Sequence, residues 1–254
     1  MCLILFAYRI HPHYRLLVAA NRDEFYARPT APMAFWEEAP DLLAGRDLAA
    51  GGTWLGITRQ GRFAAITNYR DPCNVRPDAP SRGALVSGYL QGQEPARDYL
   101  NRLIPKARDY NGFNLLLGDA EGLCYYSNQD GAPRILSPGL YGLSNHLLDT
   151  PWPKVERGRR QLGALLERQA DPSPADLLQL LADRTPVPDE ALPRTGVSLA
   201  WERTLSPMFI ASPNYGTRSS TVLQLAAGGA VYVAEKTWVS GEIREFQFST
   251  GLPG

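Results

Sequence analysis

Apolar runs at both ends of the chain predict β-strands, with turn residues between them. Apolar residues 2–8, a Pro-containing polar stretch at 9–14 and a second apolar run at 16–20 predict a buried hairpin at the start. The other predicted strands lie at residues 51–57, 61–67, 113–118, 123–127, 219–226, 230–237 and 242–248. The last three form a predicted meander, because only short Gly-containing turns join them.

Helical periodicity occurs mainly in the middle of the chain. Four stretches are predicted helices, namely residues 83–90, 95–107, 152–169 and 174–184. Ser81 and Ser173 are the predicted N-caps of the first and last of them. Residues 185–202 contain several prolines, and we expect an irregular, mobile segment there.

The order of these elements indicates a fold class. The helices follow one another in pairs and do not alternate with strands, whereas Rossmann and TIM folds need such alternation. The pattern therefore predicts an α+β fold in which helices cover the outer faces of antiparallel sheets. A chain of 254 residues can bury roughly 70–75% of its unfolded surface. We expect a single domain over residues 1–254.

Charge and cysteine content exclude several classes of function. Lys+Arg and Asp+Glu number 26 each and no basic run occurs, which argues against a nucleic-acid partner. The three cysteines, at positions 2, 73 and 124, are too dispersed for a zinc site, so no metal and no cofactor are expected. No stretch reaches ~18 uninterrupted apolar residues and no secretory signal begins the chain, which predicts a cytoplasmic protein without a transmembrane segment.

Cys2 is the first candidate for catalytic chemistry. Aminopeptidase removal of Met1 would leave Cys2 with a free α-amine. An unperturbed α-amine has a pKa near ~7.7–8 and accepts a proton at neutral pH, so one residue would supply both nucleophile and base. The alternative is a small buried residue that opens an edge strand, because free cysteine is among the most buried residue types.

A polar motif, Asn21-Arg22-Asp23-Glu24, directly follows the second predicted strand. If the first two strands pair across a turn near residues 11–12, the end of the second strand lies beside Cys2. Arg22 would then lower the pKa of the thiol, and the carboxylate would orient the α-ammonium. The alternative is a polar strand end with a self-neutralising Arg–carboxylate pair.

Ten short blocks form an ordered pattern along the chain, at residues 1–2, 21–25, 45–47, 51–56, 67–68, 81–83, 110–115, 143–145, 151–154 and 215–221. In these blocks the chain resembles the NRDE family, the group related to the transport and Golgi organisation protein. The resemblance covers nearly the whole domain. It implies an N-terminal-nucleophile hydrolase-like fold of four αββα layers, two antiparallel sheets flanked by helices, with Cys2 at the catalytic position.

The same resemblance implies roles for five further residues. In cysteine amidases of this superfamily an Arg and an Asp on the second strand support the nucleophile, and Arg22 and Asp23 match them by position. Asn145, in a Leu-Ser-Asn motif similar to that of choloylglycine hydrolases and penicillin V acylases, is implied as an oxyanion donor, and Asn68 as a second one. Arg218 is the implied late Arg that lines the pocket. The alternatives are that both Asn residues only form turns and that Arg218 extends from an edge strand.

Two functions remain open from the sequence. The first is a cysteine hydrolase that cleaves a linear, non-peptide amide C–N bond. The alternative is a non-catalytic binding or trafficking protein for haem or an acyl or lipid ligand, since some relatives are linked to such ligands and aromatic residues such as Trp54 and Tyr69 are compatible with it. The expected partner is a small-molecule substrate or an apolar ligand.

Overall fold

Two antiparallel β-sheets face each other in the computed structural model, which describes residues 2–251. Helices cover the outer face of each sheet, so the molecule has four layers in the order αββα. This architecture confirms the α+β fold class and the paired antiparallel sheets predicted for the chain.

The strands and helices divide the described chain as follows. The strands are β1 (Cys2–Tyr8), β2 (Tyr14–Phe25), β3 (Thr30–Trp36), β4 (Ala39–Asp47), β5 (Leu55–Thr58), β6 (Phe63–Asn68), β7 (Phe113–Gly118), β8 (Leu123–Ser127), β9 (Arg134–Ile135), β10 (Gly139–Leu143), β11 (Tyr215–Ala226), β12 (Ala230–Thr237) and β13 (Ile243–Ser249). The α-helices are α1 (Gly83–Gln91), α2 (Ala96–Leu103), α3 (Pro153–Arg168), α4 (Pro174–Leu181) and α5 (Leu199–Leu205). Short 3-10 helices cover Pro72–Asn74, Ile104–Asp109 and Asp189–Ala191.

One sheet joins the two ends of the chain, and the other is a meander. The six-stranded sheet has the order β10-β1-β2-β11-β12-β13, and the seven-stranded sheet runs from β3 to β9 in chain order. Neither β1 nor β11 is an edge strand, because β10 and β2 flank β1 while β2 and β12 flank β11. The edge-strand alternatives for Cys2 and Arg218 are therefore wrong.

The apolar runs of β1 and β2 are continuous because both faces of their sheet are buried. Ile4 and Val18 belong to the core between the two sheets, whereas Leu3 and Leu17 pack against the helices on the other side. Successive side chains of a strand point to opposite faces, so each strand needs apolar residues at every position. This alternation also fixes which way the polar residues at the strand ends point.

Three apolar clusters hold the layers together. The first lies between the sheets, the second joins the seven-stranded sheet to α1 and α2, and the third joins the six-stranded sheet to α3 and α4. Large side chains that are fully buried in these clusters are Tyr89, Tyr125, Phe6, Phe63 and Phe113.

Several strands had no prediction from the sequence, namely β3, β4, β9 and β10. β3 contains Pro32 and lies at the edge of its sheet, where the missing N–H of proline breaks no ladder. β10 (Gly139–Leu143) has only five residues, and two of them are glycine. Its sequence therefore shows no alternation of apolar and polar residues that would predict a strand. These strands are formed by pairing with neighbours rather than by their own composition.

The helix limits differ from the prediction in ways that the backbone explains. The helix predicted over 95–107 ends as an α-helix at Leu103 and continues as a 3-10 helix, because Pro105 has no N–H to donate. The N-cap of α1 is Arg82, not Ser81, and has no side-chain cap bond. Ser173 does cap α4, since its Oγ accepts the N–H of Asp176 at 3.1 Å. The segment 185–202, expected to be irregular, includes most of α5.

Over residues 2–251, no helix has the length and apolar character needed to cross a membrane. Within the same residues, no group of three or more His, Cys, Asp and Glu side chains is placed to hold a metal ion.

Candidate active site

Cys2 lies directly opposite Arg22 in the β1–β2 pair. The antiparallel register aligns Cys2 with Arg22 and Leu3 with Asn21. The sequence placed the Asn21–Glu24 motif just after the strand, but β2 continues through it to Phe25. The strand extends because β11 pairs with this stretch, with Thr217 aligned to Asp23.

Strand alternation separates the two charged residues of the motif. Cys2 and Arg22 share the face of Ile4 and Ala20, which belong to the core between the sheets. Asp23 points the other way, toward the helix layer, and is 1% exposed. Arg22 and Asp23 therefore act on Cys2 from opposite sides of the sheet.

Arg22 is held in place by the opposite sheet. Its guanidinium carbon lies 4.2 Å from the centre of the Trp54 ring, a cation–π contact. Its Nη1 donates to Thr30 Oγ1 at 3.3 Å. Trp54 thus supports the guanidinium that faces the cysteine.

A cavity of about 410 Å³ lies beside Cys2. Its wall carries charges of both signs, from Arg22, Asp23, Glu24, Arg28, Asp47 and Arg82. Arg28 Nε lies 2.7 Å from Asp47 and 3.9 Å from Glu24, so part of this charge is internally paired.

A second cavity of about 660 Å³ adjoins the first, because Asn68, Arg82 and Asn111 line both. Its outer wall includes Arg76 and Arg108. The two cavities together form a cleft that starts at Cys2 and passes Asn68.

Burial keeps the Cys2 thiol protonated in this arrangement. Burial raises the pKa of the thiol, and the negative charge of Asp23 adds to this effect. The positive charge of Arg22 and the backbone N–H of Asp23 act in the opposite direction but do not overcome it. Cys2 therefore needs a base to become a nucleophile. Met1 lies outside the described residues 2–251. The prediction that Met1 is removed therefore concerns a residue that the structure does not describe.

Asp23 is buried and accepts a hydrogen bond from the neighbouring strand β11. Its Oδ1 accepts the Thr217 hydroxyl at 2.7 Å. Burial raises the pKa of this carboxyl, while the positive charge of Lys154 is the largest charge effect that lowers it. Asp23 is thus hydrogen-bonded to β11, and the positive charge of Lys154 on α3 favours its ionised form.

The sequence pattern predicted no functional role for Lys154. Its side chain is only 2% exposed, and Nζ donates to the Leu205 carbonyl at 2.9 Å. Burial lowers the pKa of Lys154 to about 8. The sequence did contain a signal that this lysine is buried. Lys154 precedes Gly158 and Leu162 by four and eight residues, so it lies on the buried face of α3.

Asn145 joins three segments around Cys2. Its Nδ2 donates to the Asn68 carbonyl at 3.0 Å, and its own carbonyl accepts the Arg70 N–H at 2.7 Å. The neighbouring Ser144 hydroxyl donates to the Cys2 carbonyl at 3.1 Å. An amide nitrogen carries two N–H groups, and the Asn68 contact uses one of them. Asn145 is fully buried, and Asn68 is half-buried at the cleft wall.

Among the described residues that line the two cavities, Arg218 does not occur, and its role in the pocket stays a prediction. Its Nη1 donates to the carbonyls of Phe25, Tyr26 and Arg28 at 2.9, 3.0 and 3.0 Å. Arg218 lies at a bulge in β11, where the pairing with β2 shifts between Thr217 and Ser219. The extra residue of a bulge leaves the strand alternation. Arg218 therefore supports the turn that carries Arg28.

The family model described as Transport and Golgi organisation 2 matches residues 1–240. The chain belongs to this family. The match extends over β1 to β12 and includes every residue discussed for the candidate active site. The sequence-based expectation is confirmed at the level of this family, whereas the name NRDE is not part of the matched description.

Mammalian members of the Transport and Golgi organisation 2 family align along almost the entire chain. The bovine Transport and Golgi organization protein 2 homolog (Bos taurus) is 37% identical over 272 residues, which is 98% of this chain and 98% of the relative. The Homo sapiens homolog of the same name is 36% identical over 270 residues, again 98% of both chains.

A solved structure shares the fold of this Transport and Golgi organisation 2 member. It is the Caenorhabditis elegans N-acylethanolamine-hydrolyzing acid amidase ortholog, with a TM-score of 0.50 over 88% of this chain and 92% of that chain. Sequence identity is 9%, so the likeness shows the fold alone. That fold is the N-terminal-nucleophile hydrolase fold.

Proposed function

We propose that the protein is a cysteine N-terminal-nucleophile hydrolase that cleaves a linear amide C–N bond in a small molecule. The observation that supports it is the pairing of Cys2 with Arg22 at the inner end of the cleft. Asp23 and Asn68 line the same cavity, so residues from three strands contribute to the wall around Cys2.

The reaction begins with removal of Met1, which gives Cys2 a free α-amine. The amine takes the thiol proton, and Sγ attacks the acyl carbon to form a C–S bond. The tetrahedral intermediate collapses, the C–N bond breaks, and the α-ammonium returns its proton to the leaving nitrogen. Water then attacks the thioester with the amine as base, which releases a carboxylic acid and restores the thiol.

Each neighbouring residue has a distinct role in this scheme. The Arg22 guanidinium favours the thiolate, and the Asp23 carboxylate attracts the α-ammonium. Asn68 and Asn145 would donate N–H groups to the oxyanion, a contribution worth about 10²–10³ in rate for each donor. The Ser144 bond to the Cys2 carbonyl, at 3.1 Å, fixes the backbone of the nucleophile.

Acylation of Cys2 is the direct test. The protein is treated with an acyl p-nitrophenyl ester, and the modified peptide is identified by mass spectrometry. We expect acylation at Cys2, its loss in Cys2→Ala, and no change in Cys73→Ser, which removes an exposed thiol of the adjoining cavity. Acylation confined to Cys73, or active protein whose intact mass still includes Met1, would contradict the proposal.

The word transport in the names of the mammalian relatives supports a second candidate, a non-catalytic binding or trafficking protein. Haem or an acyl or lipid molecule is the ligand proposed for it. In this case the cleft beside Cys2 would hold the ligand without breaking a bond. Haem titration followed by absorbance separates the two. A saturable Soret shift that disappears in Cys2→Ala supports the carrier, and its absence together with acylation of Cys2 supports the hydrolase.

A further inference from the structure

Charge is distributed unevenly between the two cavities of the cleft. The wall of the inner cavity, beside Cys2, has three arginines and three carboxylates, namely Arg22, Arg28, Arg82, Asp23, Glu24 and Asp47. The wall of the outer cavity, the one of about 660 Å³, has four arginines and one carboxylate, namely Arg70, Arg76, Arg82, Arg108 and Asp71. The whole chain has a formal net charge of zero, so the excess of positive charge is a property of the outer cavity.

Three of the four arginines in the outer cavity wall have no paired carboxylate. Arg70 is the exception, because its Nη1 lies 3.0 Å from Glu202 Oε2. No ion pair among residues 2–251 includes the other three, Arg76, Arg82 and Arg108. Three guanidinium groups therefore line one cavity with their charges uncompensated by an ion pair.

Backbone carbonyls hold two of these guanidinium groups in position. Arg82 Nη1 donates to the Gly112 carbonyl at 2.9 Å, and Arg76 Nη2 donates to the Arg108 carbonyl at 2.8 Å. The backbone of Arg76 is fixed as well, since its N–H and its carbonyl both bond to the Asn111 side chain at 2.8 Å. A guanidinium has five N–H groups, so both arginines retain donors for a ligand. Groups that are positioned in advance lose less conformational entropy when a ligand binds.

Arg82 connects the two cavities, because it lines both of them. Its side chain is half-buried at the start of α1, and burial lowers the pKa of the guanidinium. Removing a charged group from water is costly unless an opposite charge pairs with it. A carboxylate or a phosphate matches the planar fork of a guanidinium and would offset this cost.

We propose that the outer cavity binds an anionic group of a small ligand, a carboxylate or a phosphate, through Arg76, Arg82 and Arg108. Binding of the anion requires no reaction at Cys2. The identity of the ligand as substrate rests on the proposed hydrolase function. In that case the substrate is an acidic amide, whose C–N bond lies at Cys2 while its negative charge lies in the outer cavity.

Cys73 can report the positive charge directly, because this exposed thiol is part of the outer cavity wall. Its rate of alkylation by iodoacetate, which is anionic, is divided by its rate with iodoacetamide, which is neutral. This ratio does not depend on the pKa of the thiol, since both reagents react with the same thiolate. In the unmodified protein, we expect 1 M salt to lower the ratio, because the Debye length falls to about 3 Å.

Substitution of the arginines should change the same ratio. We expect Arg76→Met and Arg82→Met each to lower it by about two- to fivefold, the effect of one charge at about 4 Å in water. Arg82→Lys retains the charge and should retain most of the ratio. The control is Arg97→Met, which removes an exposed arginine of α2 that does not line the cavity. A ratio that is the same in both Met variants and the control, and that salt does not change, overturns the proposal.

Titration with inorganic phosphate and with glutarate tests binding and distinguishes the two kinds of anion. Nitrogen-15 NMR of the arginine Nε–H groups follows the titration, and the resonance that is missing in Arg82→Lys identifies Arg82. We expect a saturable shift of this resonance, whereas that of Arg97 should not move. A shift with phosphate alone assigns a phosphate group to the ligand, and one with glutarate alone assigns a carboxylate. An Arg82 resonance that neither anion moves overturns the proposal.

Acylation of Cys2 distinguishes failure of this inference from failure of the hydrolase proposal. Two pairs of activated esters are compared, and the members of each pair differ by one carboxylate, on the acyl side in the first pair and on the leaving side in the second. We expect faster acylation by the charged member of one pair, and Arg82→Met should reduce this preference by about two- to fivefold.

The two proposals can then fail separately. Acylation of Cys2 without any preference for a charged ester retains the hydrolase and rejects the acidic substrate. A saturable shift of the Arg82 resonance without any acylation of Cys2 retains the anion site and rejects the hydrolase.

Discussion

The Cys2 side chain lies between two charges that act on it in opposite directions. Arg22 shares its face of the sheet, and Asp23 lies on the far face. Burial raises the pKa of the thiol and Arg22 lowers it. The reactivity of the thiol is therefore sensitive to each neighbour separately.

Arg22→Met should make Cys2 less reactive. Loss of the guanidinium raises the pKa of the thiol, and an increase of one unit lowers the thiolate fraction at neutral pH about tenfold. The rate of Cys2 alkylation as a function of pH measures this effect. Arg59→Met is the matched control, because Arg59 also stacks on an aromatic ring, Phe35 at 4.1 Å, but follows β5 in the other sheet and is not among the residues that line the two cavities. Equal alkylation rates in the two variants would rule out the role of Arg22.

The two asparagines should respond differently to substitution by alanine. Asn68→Ala should lower the kcat for a fluorogenic acyl amide by about 10²–10³ through loss of an oxyanion donor, with a small change in stability. Asn145→Ala should lower kcat and also destabilise the fold by about 1–3 kcal/mol, because it leaves the Asn68 carbonyl without its buried donor. Steady-state kinetics combined with thermal unfolding separates the two effects. Full activity in either variant would exclude that residue as a donor.

Lys154 should make stability rise with pH in the alkaline range. Its pKa is lowered to about 8 in the fold, against about 10.4 for an unfolded chain. Between these values the unfolded state binds more protons, so the free energy of unfolding increases with pH, by up to about 3 kcal/mol. Denaturant unfolding of the native protein minus that of Lys154→Met at pH 7.5, 8.5 and 9.5 isolates this contribution. A difference independent of pH would contradict it.

Part of the site could be predicted from the sequence because part of it is local. Cys2 and the Asn21–Glu24 motif lie at the two ends of one hairpin, at about equal distances along the chain from its turn. These distances were enough to predict that the two are neighbours. Lys154 and Arg82 reach the same region through packing of α3 and the start of α1, which chain spacing does not encode. Arg218 lies at a bulge of β11, and a bulge leaves no clear mark in a strand pattern, so the sequence could not predict the direction of this side chain.

At the scale of elements, runs of strand-favouring residues were reliable predictors, whereas β3, β4, β9 and β10 were not predicted from their own residues. β1, β7 and β8 appear within the limits expected from their sequences. β3 and β10 contain proline or glycine, and their strand geometry depends on neighbours that are distant in the chain. The predicted elements were thus those whose residues favour a strand by themselves.

The contact between the β4–β5 connection and α1 should be sensitive to a single methyl group. A Cβ added at Gly52 would lie 2.4 Å from the Gly83 carbonyl carbon and 2.7 Å from its oxygen, both backbone atoms. Gly52→Ala should therefore destabilise the protein by about 1–3 kcal/mol, as measured by urea unfolding. Gly228→Ala, where nothing lies within 4 Å, is the control. Equal stability of the two variants would contradict the close contact.

At the scale of the whole molecule, one buried ion pair connects the cleft wall to α5. Arg70 and Glu202 are 3.0 Å apart, and their side chains are 6% and 5% exposed. Arg70 also lies over the Trp152 ring at 4.7 Å, just before α3. The pair thus connects the segment after β6 to both helical elements beside it.

Glu202→Gln should strongly destabilise the fold. It leaves the buried Arg70 charge without its carboxylate, a change that costs about 3–5 kcal/mol. The control is Asp189→Asn, which breaks the exposed Arg203–Asp189 pair of the same region and should cost at most about 1 kcal/mol. Guanidinium unfolding of both variants compares them. A loss below about 1 kcal/mol in Glu202→Gln would show that the pair contributes little.

The cleft is built from two kinds of structure that can change independently. Strands β1 and β2 carry Cys2, Arg22 and Asp23, whereas much of the cleft wall comes from residues 69–82, where the only regular element is the 3-10 helix Pro72–Asn74. Connecting segments tolerate substitution and length changes far better than paired strands. Exchanging this segment between family members should therefore transfer ligand preference while the thiol and its charged neighbours stay in place, which makes the protein a scaffold for engineered specificity.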